Sequence, residues 1–166
     1  TNILGMLDMG GIPLRSAQRG DDDPLIVAGG PVATHAEPMA PFFDCYLIGE
    51  CEDVLGDFCD VVKVTKGLPR RERLMTLAQV PGIYVPSLYE PVYREDGTLG
   101  GTYPVHPDVP LKVAKRVVQD LDKAPYPTRP VVSSTQAVHD RITLEVFRGC
   151  TRGCRFCQAG MITRPV

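Results

Sequence analysis

The stretch Pro24-Leu-Ile-Val-Ala-Gly-Gly-Pro31 is an uninterrupted apolar run that ends at two glycines and a proline. A short run of this kind predicts a strand that is buried on both faces, as in a parallel sheet. Asp44-Cys-Tyr-Leu-Ile-Gly49 has the same character and predicts a second buried strand. Helical spacing of apolar residues surrounds both runs, at residues 2–9, 37–43 and 52–62. Strands that alternate with helices predict an α/β fold with a parallel sheet.

Residues 67–140 are less regular and are interpreted as a connecting region. A helix is predicted over residues 69–80, with a strand directly after it. Asp96-Gly97, between two apolar stretches, is typical of the tight turn of a β-hairpin. Residues 111–121 fit the strand period and the helix period equally well, and both remain open. The proline-rich residues 124–130 predict an extended linker and a candidate domain boundary.

Near the end of the sequence, Cys150-Thr-Arg-Gly-Cys-Arg-Phe-Cys157 places three cysteines in the spacing C-x3-C-x2-C. Thiolates are soft ligands that suit iron–sulfur centres, and three are one fewer than the four ligands of most such sites. Apolar and polar residues alternate over residues 142–147 and predict a strand that leads directly into this loop. Because the functional loops of β/α barrels follow their strands, we interpret the two as the first strand and the metal-binding loop of a barrel.

Composition narrows the class of protein and its compartment. The 166 residues carry a formal net charge of −2, which gives no general attraction to nucleic acid or to anionic membranes. No apolar run approaches the ~18 residues of a membrane span, and no secretory leader is recognisable. Cysteines gathered in a metal-type motif predict a reducing cytoplasm. Five arginines against one glutamate in residues 141–166 would offset the negative charge of a thiolate-bound cluster.

The segment from His139 through the three cysteines to Pro165 resembles the radical S-adenosylmethionine (SAM) proteins, in particular a bacterial family with an N-terminal cobalamin (B12)-binding-like domain. Residues 1–15, 28–31, 48–52 and 82–86 extend the resemblance over nearly the whole chain. It implies a 4Fe–4S cluster whose fourth iron binds SAM. The residues that match the family's cluster ligands are Cys150, Cys154 and Cys157, and Phe156 matches the aromatic position near the adenine of SAM.

The same resemblance implies an iron–sulfur oxidoreductase that reductively cleaves SAM to a 5′-deoxyadenosyl radical. Its electron would come from a flavodoxin- or ferredoxin-type donor, and its substrate is not readable from the sequence. Residues 1–66 would be the C-terminal part of a Rossmann-like, cobalamin-binding-like domain, and residues 67–140 the connecting region. Residues 141–166 would begin a radical SAM barrel that is truncated here. The chain would then be an N-terminal fragment that is inactive by itself.

Cobalamin binding rests on a weaker match. Gly29 and Gly30 match the glycine pair that lets the backbone approach the cobalamin nucleotide tail, by resemblance. The D-x-H-x-x-G motif with the cobalt-ligand histidine is absent from residues 1–166. Cys51 stands where the family's Gly-Glu-Gly-Glu has its second glycine.

Two alternatives remain open. Residues 1–140 could be a docking module for a partner or substrate that holds no cobalamin, and the cysteine triad could bind zinc with His139 as its fourth ligand. The remaining cysteines are predicted to be buried structural thiols, and the other polar candidates to be surface, turn or helix-end groups. These residues are Cys45, Cys51, Cys59, His35, His106, Glu50, Glu52 and Asp21 to Asp23.

Overall fold

The structure is a computed structural model and describes residues 2–135, 138 and 143–164. The chain divides into two compact units, Thr1–Val117 and Val118–Val166. The elements of the first unit are, in chain order, α1 (Asn2–Met9), β1 (Val27–Ala28), β2 (Cys45–Leu47), α2 (Cys51–Val64), α3 (Arg70–Leu77), β3 (Ile83–Tyr84), β4 (Tyr89–Tyr93) and β5 (Leu99–Pro104). Short 3-10 helices span Ser16–Gln18, Pro31–His35, Glu37–Phe42 and Pro86–Leu88. This mixture of helices and small sheets is an α/β architecture, and no helix in the described ranges is long and apolar enough to cross a bilayer.

The strands β1, β2 and β3 form one sheet in that order. β1 and β2 are parallel, with Val27 opposite Cys45, so the predicted parallel pair is confirmed, although β1 is only half-buried. β3 runs antiparallel to β2, with Ile83 opposite Leu47, so the expectation of an entirely parallel sheet is wrong. A parallel third strand needs a crossover that returns the chain to the amino edge of the sheet. Here two successive helices, α2 and α3, lead away from the carboxyl edge and back to it, so β3 starts where β2 ended.

The larger hydrophobic core lies between the sheet and the two helices. Val54 on α2 and Leu77 on α3 are fully buried and pack in one cluster with Cys45, Leu47 and Ile83 of the sheet. The predicted helix at residues 52–62 is confirmed as α2. Its acidic first turn and the lysine in its last turn complement the helix dipole.

A smaller cluster lies against the alternate side chains of the same strands. Phe43 and Tyr46 pack there with Ala33 and Ala36, and the Tyr46 hydroxyl donates to the Ala36 carbonyl at 3.2 Å. The helix predicted over residues 37–43 is a 3-10 helix rather than an α-helix. Pro41 lacks the N–H that would donate to the Glu37 carbonyl in an α-helix, which explains the difference; Pro38, in the first turn, is tolerated in either type of helix.

A buried ion cluster ties the N-terminal segment and α3 to β2. Asp44, directly before β2, accepts hydrogen bonds on Oδ2 from Arg19 Nη1 at 3.0 Å and from the Ile26 N–H at 2.7 Å, and the same oxygen forms an ion pair with Arg70 Nη2 at 2.8 Å. Both guanidinium groups also donate to backbone carbonyls of neighbouring segments. Buried charges are tolerated when they are paired and hydrogen-bonded in this way. The cluster therefore fixes where β2 enters the sheet.

The predicted hairpin is confirmed by the antiparallel pair β4–β5. Its turn has Gly97 at a φ of 79°, a left-handed conformation that glycine adopts without strain, and the Asp96 carboxylate accepts from the Thr98 N–H at 2.9 Å. Residues 111–121 contain neither an α-helix nor a named strand. An isolated parallel bridge instead joins Arg116 to Gly49.

The second unit has little regular structure among its described residues. A 3-10 helix spans Leu121–Lys123, and a short α-helix, α4, spans Ala159–Ile162. The strand predicted over residues 142–147 is wrong for residues 143–147, which belong to no strand, and Ile142 lies outside the described residues. A strand is stable only beside another strand, and the described part of this unit contains none. The division at residues 66 and 140 stays a prediction.

Candidate metal centre

The three cysteines of the predicted metal motif lie in the loop before α4. Cys150 is half-buried, Cys154 and Cys157 are exposed, and all three thiols are free. Nowhere in the described ranges do three His, Cys, Asp or Glu side chains come close enough to hold a metal ion. The structure therefore places the three thiols on one short loop but does not bring them together, and their role as ligands stays a prediction.

The loop that carries the thiols is shaped by its own backbone. Gly149 has a φ of 91°, so the chain turns through a left-handed conformation immediately before Cys150. The Arg152 N–H donates to Cys150 Sγ at 3.4 Å, and the Cys157 N–H donates to the Cys154 carbonyl at 3.1 Å. The thiolate is the form of cysteine that binds iron or zinc. The loop therefore carries three thiol donors of the soft type that suits iron–sulfur or zinc centres, and which metal they bind stays a prediction.

Helix α4 and Arg164, two residues after it, contact the first half of this loop. The Arg164 guanidinium donates to the carbonyls of Cys150, Thr151 and Arg152 at 3.3–3.5 Å. Gly160 is buried, and a Cβ there would lie 2.7 Å from the Arg152 carbonyl oxygen, so only glycine allows this close approach. The sequence predicted Arg164 only as one of five arginines that offset the charge of a cluster, and it predicted no role for Gly160. The available signal was their position in the segment after the third cysteine, which already belonged to the resemblance.

The loop carries several positive charges and one exposed aromatic ring. Arg148 donates through Nε and Nη2 to both carboxylate oxygens of Glu145 at 2.8 Å, and these hydrogen bonds lower the pKa of Glu145 below its usual value. Arg152 and Arg155 are exposed beside the thiols. Phe156 is 92% exposed, so its predicted place near the adenine of SAM stays a prediction. His139, the fourth ligand of the zinc alternative, lies outside the described residues.

The glycines predicted to approach cobalamin lie at the carboxyl end of β1. Gly29 and Gly30 are both exposed, and Gly30 has a φ of 88°. A Cβ added to Gly29 would lie 3.9 Å from Cys51 Sγ and 4.0 Å from the Leu47 Cβ, which is ordinary van der Waals contact. The Cys51 thiol therefore lies near this backbone without closing the space beside it. Burial raises the pKa of Cys51, and the neighbouring Glu52 adds to the effect.

The other candidate groups have structural or surface positions. Cys45 is fully buried, and burial raises the pKa of its thiol to about 12. Cys59 is exposed, so its prediction as a buried thiol is wrong, because it faces away from the side of α2 that packs on the sheet. Asp23 accepts from the Gly20 N–H at 2.8 Å, as turn residues do. Asp21 instead accepts from the Arg70 N–H at 2.6 Å, at the start of α3.

The two histidines in the first unit lie near its surface. His35 is exposed at the end of a 3-10 helix, and the His106 Nδ1 lies 3.5 Å from an Asp108 carboxylate oxygen. Glu50 and Glu52 flank the start of α2, at the carboxyl edge of the sheet.

Comparison with known proteins identifies relatives of this chain. Residues 1–86 match a family model described as radical SAM proteins, N-terminal. An uncharacterised protein of Methanocaldococcus jannaschii is 30% identical over 155 residues, which is 92% of this chain and 27% of that protein. The chain thus spans about a quarter of the length of this relative. No solved structure matches the chain.

Proposed function

The chain belongs to the radical SAM proteins, and from this premise we propose that the whole protein is an iron–sulfur enzyme that reductively cleaves SAM. The observation that carries the proposal is the C-x3-C-x2-C motif in a chain whose first 86 residues match this family. When bound, a 4Fe–4S cluster supplies the electron that splits SAM into methionine and a 5′-deoxyadenosyl radical. The protein's own part is to hold and surround that chemistry.

Cys150, Cys154 and Cys157 would hold the cluster. Three thiolates leave one iron free for the amino and carboxylate groups of SAM. The turn at Gly149 would let the backbone curl tightly before the first ligand, and the Arg152 N–H donates to the Cys150 sulfur. The exposed Arg155 adds positive charge that offsets the negative cluster and its thiolates. Phe156, directly before the last ligand, would pack against the adenine of SAM.

The finer architecture forms part of the proposal. Residues 1–66 would derive from a Rossmann-like, cobalamin-binding-like domain, which the parallel pair β1–β2 and the helix after β2 support. Residues 141–166 would open a radical SAM barrel. The electron donor would be a flavodoxin- or ferredoxin-type protein, and the compartment the cytoplasm.

A second candidate function is favoured by one observation. Residues of this chain fill the carboxyl edge of the sheet, where Cys51 lies beside Gly29 and Arg116 lies against Gly49. Open α/β sheets bind their ligands at that edge. In this second candidate the first unit has no cofactor of its own and presents a partner or a substrate to the barrel.

The test uses the full-length protein, purified without oxygen and reconstituted with iron and sulfide. We expect about four irons per chain and formation of 5′-deoxyadenosine from SAM after reduction with dithionite. Cys154→Ala should abolish the product because it removes a ligand. Cys59→Ala, an exposed cysteine outside the motif, is the matched control and should retain it. Iron binding without any 5′-deoxyadenosine would contradict SAM cleavage, and zinc in place of iron would favour the zinc alternative.

A further inference from the structure

Three glycines meet at one edge of the three-stranded sheet. Gly29 follows β1 and Gly49 lies two residues after β2, so both mark the carboxyl ends of parallel strands. Gly82 precedes β3, which is antiparallel, so its start lies at the same edge. In a cobalamin-binding or dinucleotide-binding domain, such glycines let the backbone approach a ligand. In this structure, Arg116 of the same chain lies against two of the three glycines.

The backbone of Arg116 lies against Gly49. The Arg116 N–H donates to the Ile48 carbonyl at 2.8 Å, and the Glu50 N–H donates to the Arg116 carbonyl at 3.0 Å. Gly49 has a φ of 101°, and a Cβ there would lie 2.2 Å from the Arg116 carbonyl oxygen. Only glycine satisfies both the conformation and the contact. The segment around Arg116 thus extends the sheet beside the end of β2.

The side chain of Arg116 lies against Gly82. A Cβ on Gly82, whose φ is 90°, would lie 2.4 Å from Arg116 Cγ. The Arg116 guanidinium reaches Asp57 on α2, with Nη2 3.2 Å from Oδ2. One residue therefore joins the end of β2, the start of β3 and the helix that covers the sheet. Arg116 is also the second-last residue of the first unit, so these contacts fix the point at which the chain leaves it.

We infer that the carboxyl edge of this sheet is a docking site for the chain's own Arg116, and that Arg116 takes the place of a cobalamin there. Gly49 and Gly82 provide the space that the backbone and the side chain of Arg116 occupy. The residues at this edge therefore do not fit a cobalamin nucleotide tail. This inference goes beyond SAM cleavage and does not depend on it.

A double-mutant cycle on the full-length protein tests the docking. Gly82→Ala introduces backbone strain at positive φ and a steric clash between the new Cβ and Arg116 Cγ. Two backbone hydrogen bonds hold Arg116 in place, so it cannot move away from the new Cβ. In an Arg116→Ala background the clash disappears and only the strain remains. We expect Gly82→Ala to change the unfolding equilibrium constant, measured in urea, about tenfold less in the Arg116→Ala background than in the wild type. Effects of the two substitutions that simply add would overturn the inference.

A matched pair of glycines supplies the control for backbone strain. Gly30 and Gly49 both have positive φ, at 88° and 101°, but a Cβ on Gly30 meets nothing within 4 Å. Gly49→Ala should therefore lower the urea midpoint well beyond Gly30→Ala. Equal shifts would overturn the close contact with Arg116.

Titration with hydroxocobalamin tests the other half of the inference. We expect no change in the cobalamin absorption spectrum with wild-type protein, and none with Cys51→Gly, because Arg116 still lies against Gly49 and Gly82. A saturable spectral shift with the wild type would overturn the inference whatever the outcome of the SAM assay.

Discussion

At the scale of single residues, Asp44 is the buried carboxylate that pairs with Arg19 of the N-terminal segment and with Arg70 of α3. It is buried with two arginines, and its Oδ2 accepts hydrogen bonds from Arg19 and from the Ile26 N–H and forms an ion pair with Arg70. Its Oδ1 has no hydrogen-bond partner among the described residues. One carboxylate therefore balances two buried cations, and the remaining positive charge is spread over the backbone carbonyls that both arginines contact.

Asp44→Ala should destabilise the first unit by about 3–5 kcal/mol, because it leaves two guanidinium groups buried without their counter-ion. The free energy of unfolding in urea measures the effect. Asp60→Ala removes an exposed carboxylate from α2 and should stay within about 0.5 kcal/mol of the wild type. A loss for Asp44→Ala no larger than this control would show that the cluster contributes nothing to stability.

At the scale of elements, the loop that carries the three cysteines packs against α4 and against Arg164, which follows it. The Arg164 guanidinium contacts three successive carbonyls of the loop, and Gly160 lets the helix approach the Arg152 carbonyl. Groups that orient metal ligands from behind commonly change metal affinity when they are replaced. Arg164 is therefore expected to position Cys150 rather than to bind metal.

Arg164→Gln should accelerate the removal of iron by a chelator from the reconstituted full-length protein by about 10- to 100-fold. Arg155→Gln is the charge-matched control, because it removes an exposed arginine of the same loop without breaking these carbonyl contacts. Iron release is followed by the loss of cluster absorbance. If both variants release iron equally fast, Arg164 acts only through its charge.

At the scale of the whole molecule, the first unit buries several weak acids around one sheet. Burial raises the pKa of Cys45 and of Tyr46 to about 12, and it also raises the pKa of Tyr84 and Tyr89. In each case the folded chain keeps a proton that the unfolded chain releases at lower pH. The free energy of unfolding is therefore lower at alkaline pH.

The free energy of unfolding should fall as pH rises above 9.0, the ordinary thiol pKa, toward the folded value of about 12. Each such group contributes a slope of up to about 1.4 kcal/mol per pH unit. Cys45→Ala should make the decline shallower, and Cys59→Ala, which removes an exposed thiol, should leave it unchanged. Urea unfolding at a series of pH values measures the slope. Identical slopes for the wild type and Cys45→Ala would contradict the assignment to Cys45.

Local sequence determined much of this protein by itself. Apolar periodicity was sufficient to predict α1, α2 and the parallel pair β1–β2, and Asp96-Gly97 was sufficient for the hairpin, because these features depend on residues close together in the chain. The cysteine spacing and the flanking residues likewise indicated the radical SAM family, which the match over residues 1–86 confirms.

Only the tertiary structure decided what depends on distant partners. β3 is antiparallel because two helices precede it, and residues 143–147 form no strand because no neighbouring strand lies in the described part of their unit. Asp44 meets Arg19 and Arg70 across gaps that no short pattern encodes. Gly49 begins the Gly-Glu-Cys-Glu stretch that resembles the family's Gly-Glu-Gly-Glu, and in the folded chain the Arg116 backbone lies against it. A glycine shows that something approaches the backbone, and only the folded chain shows what does.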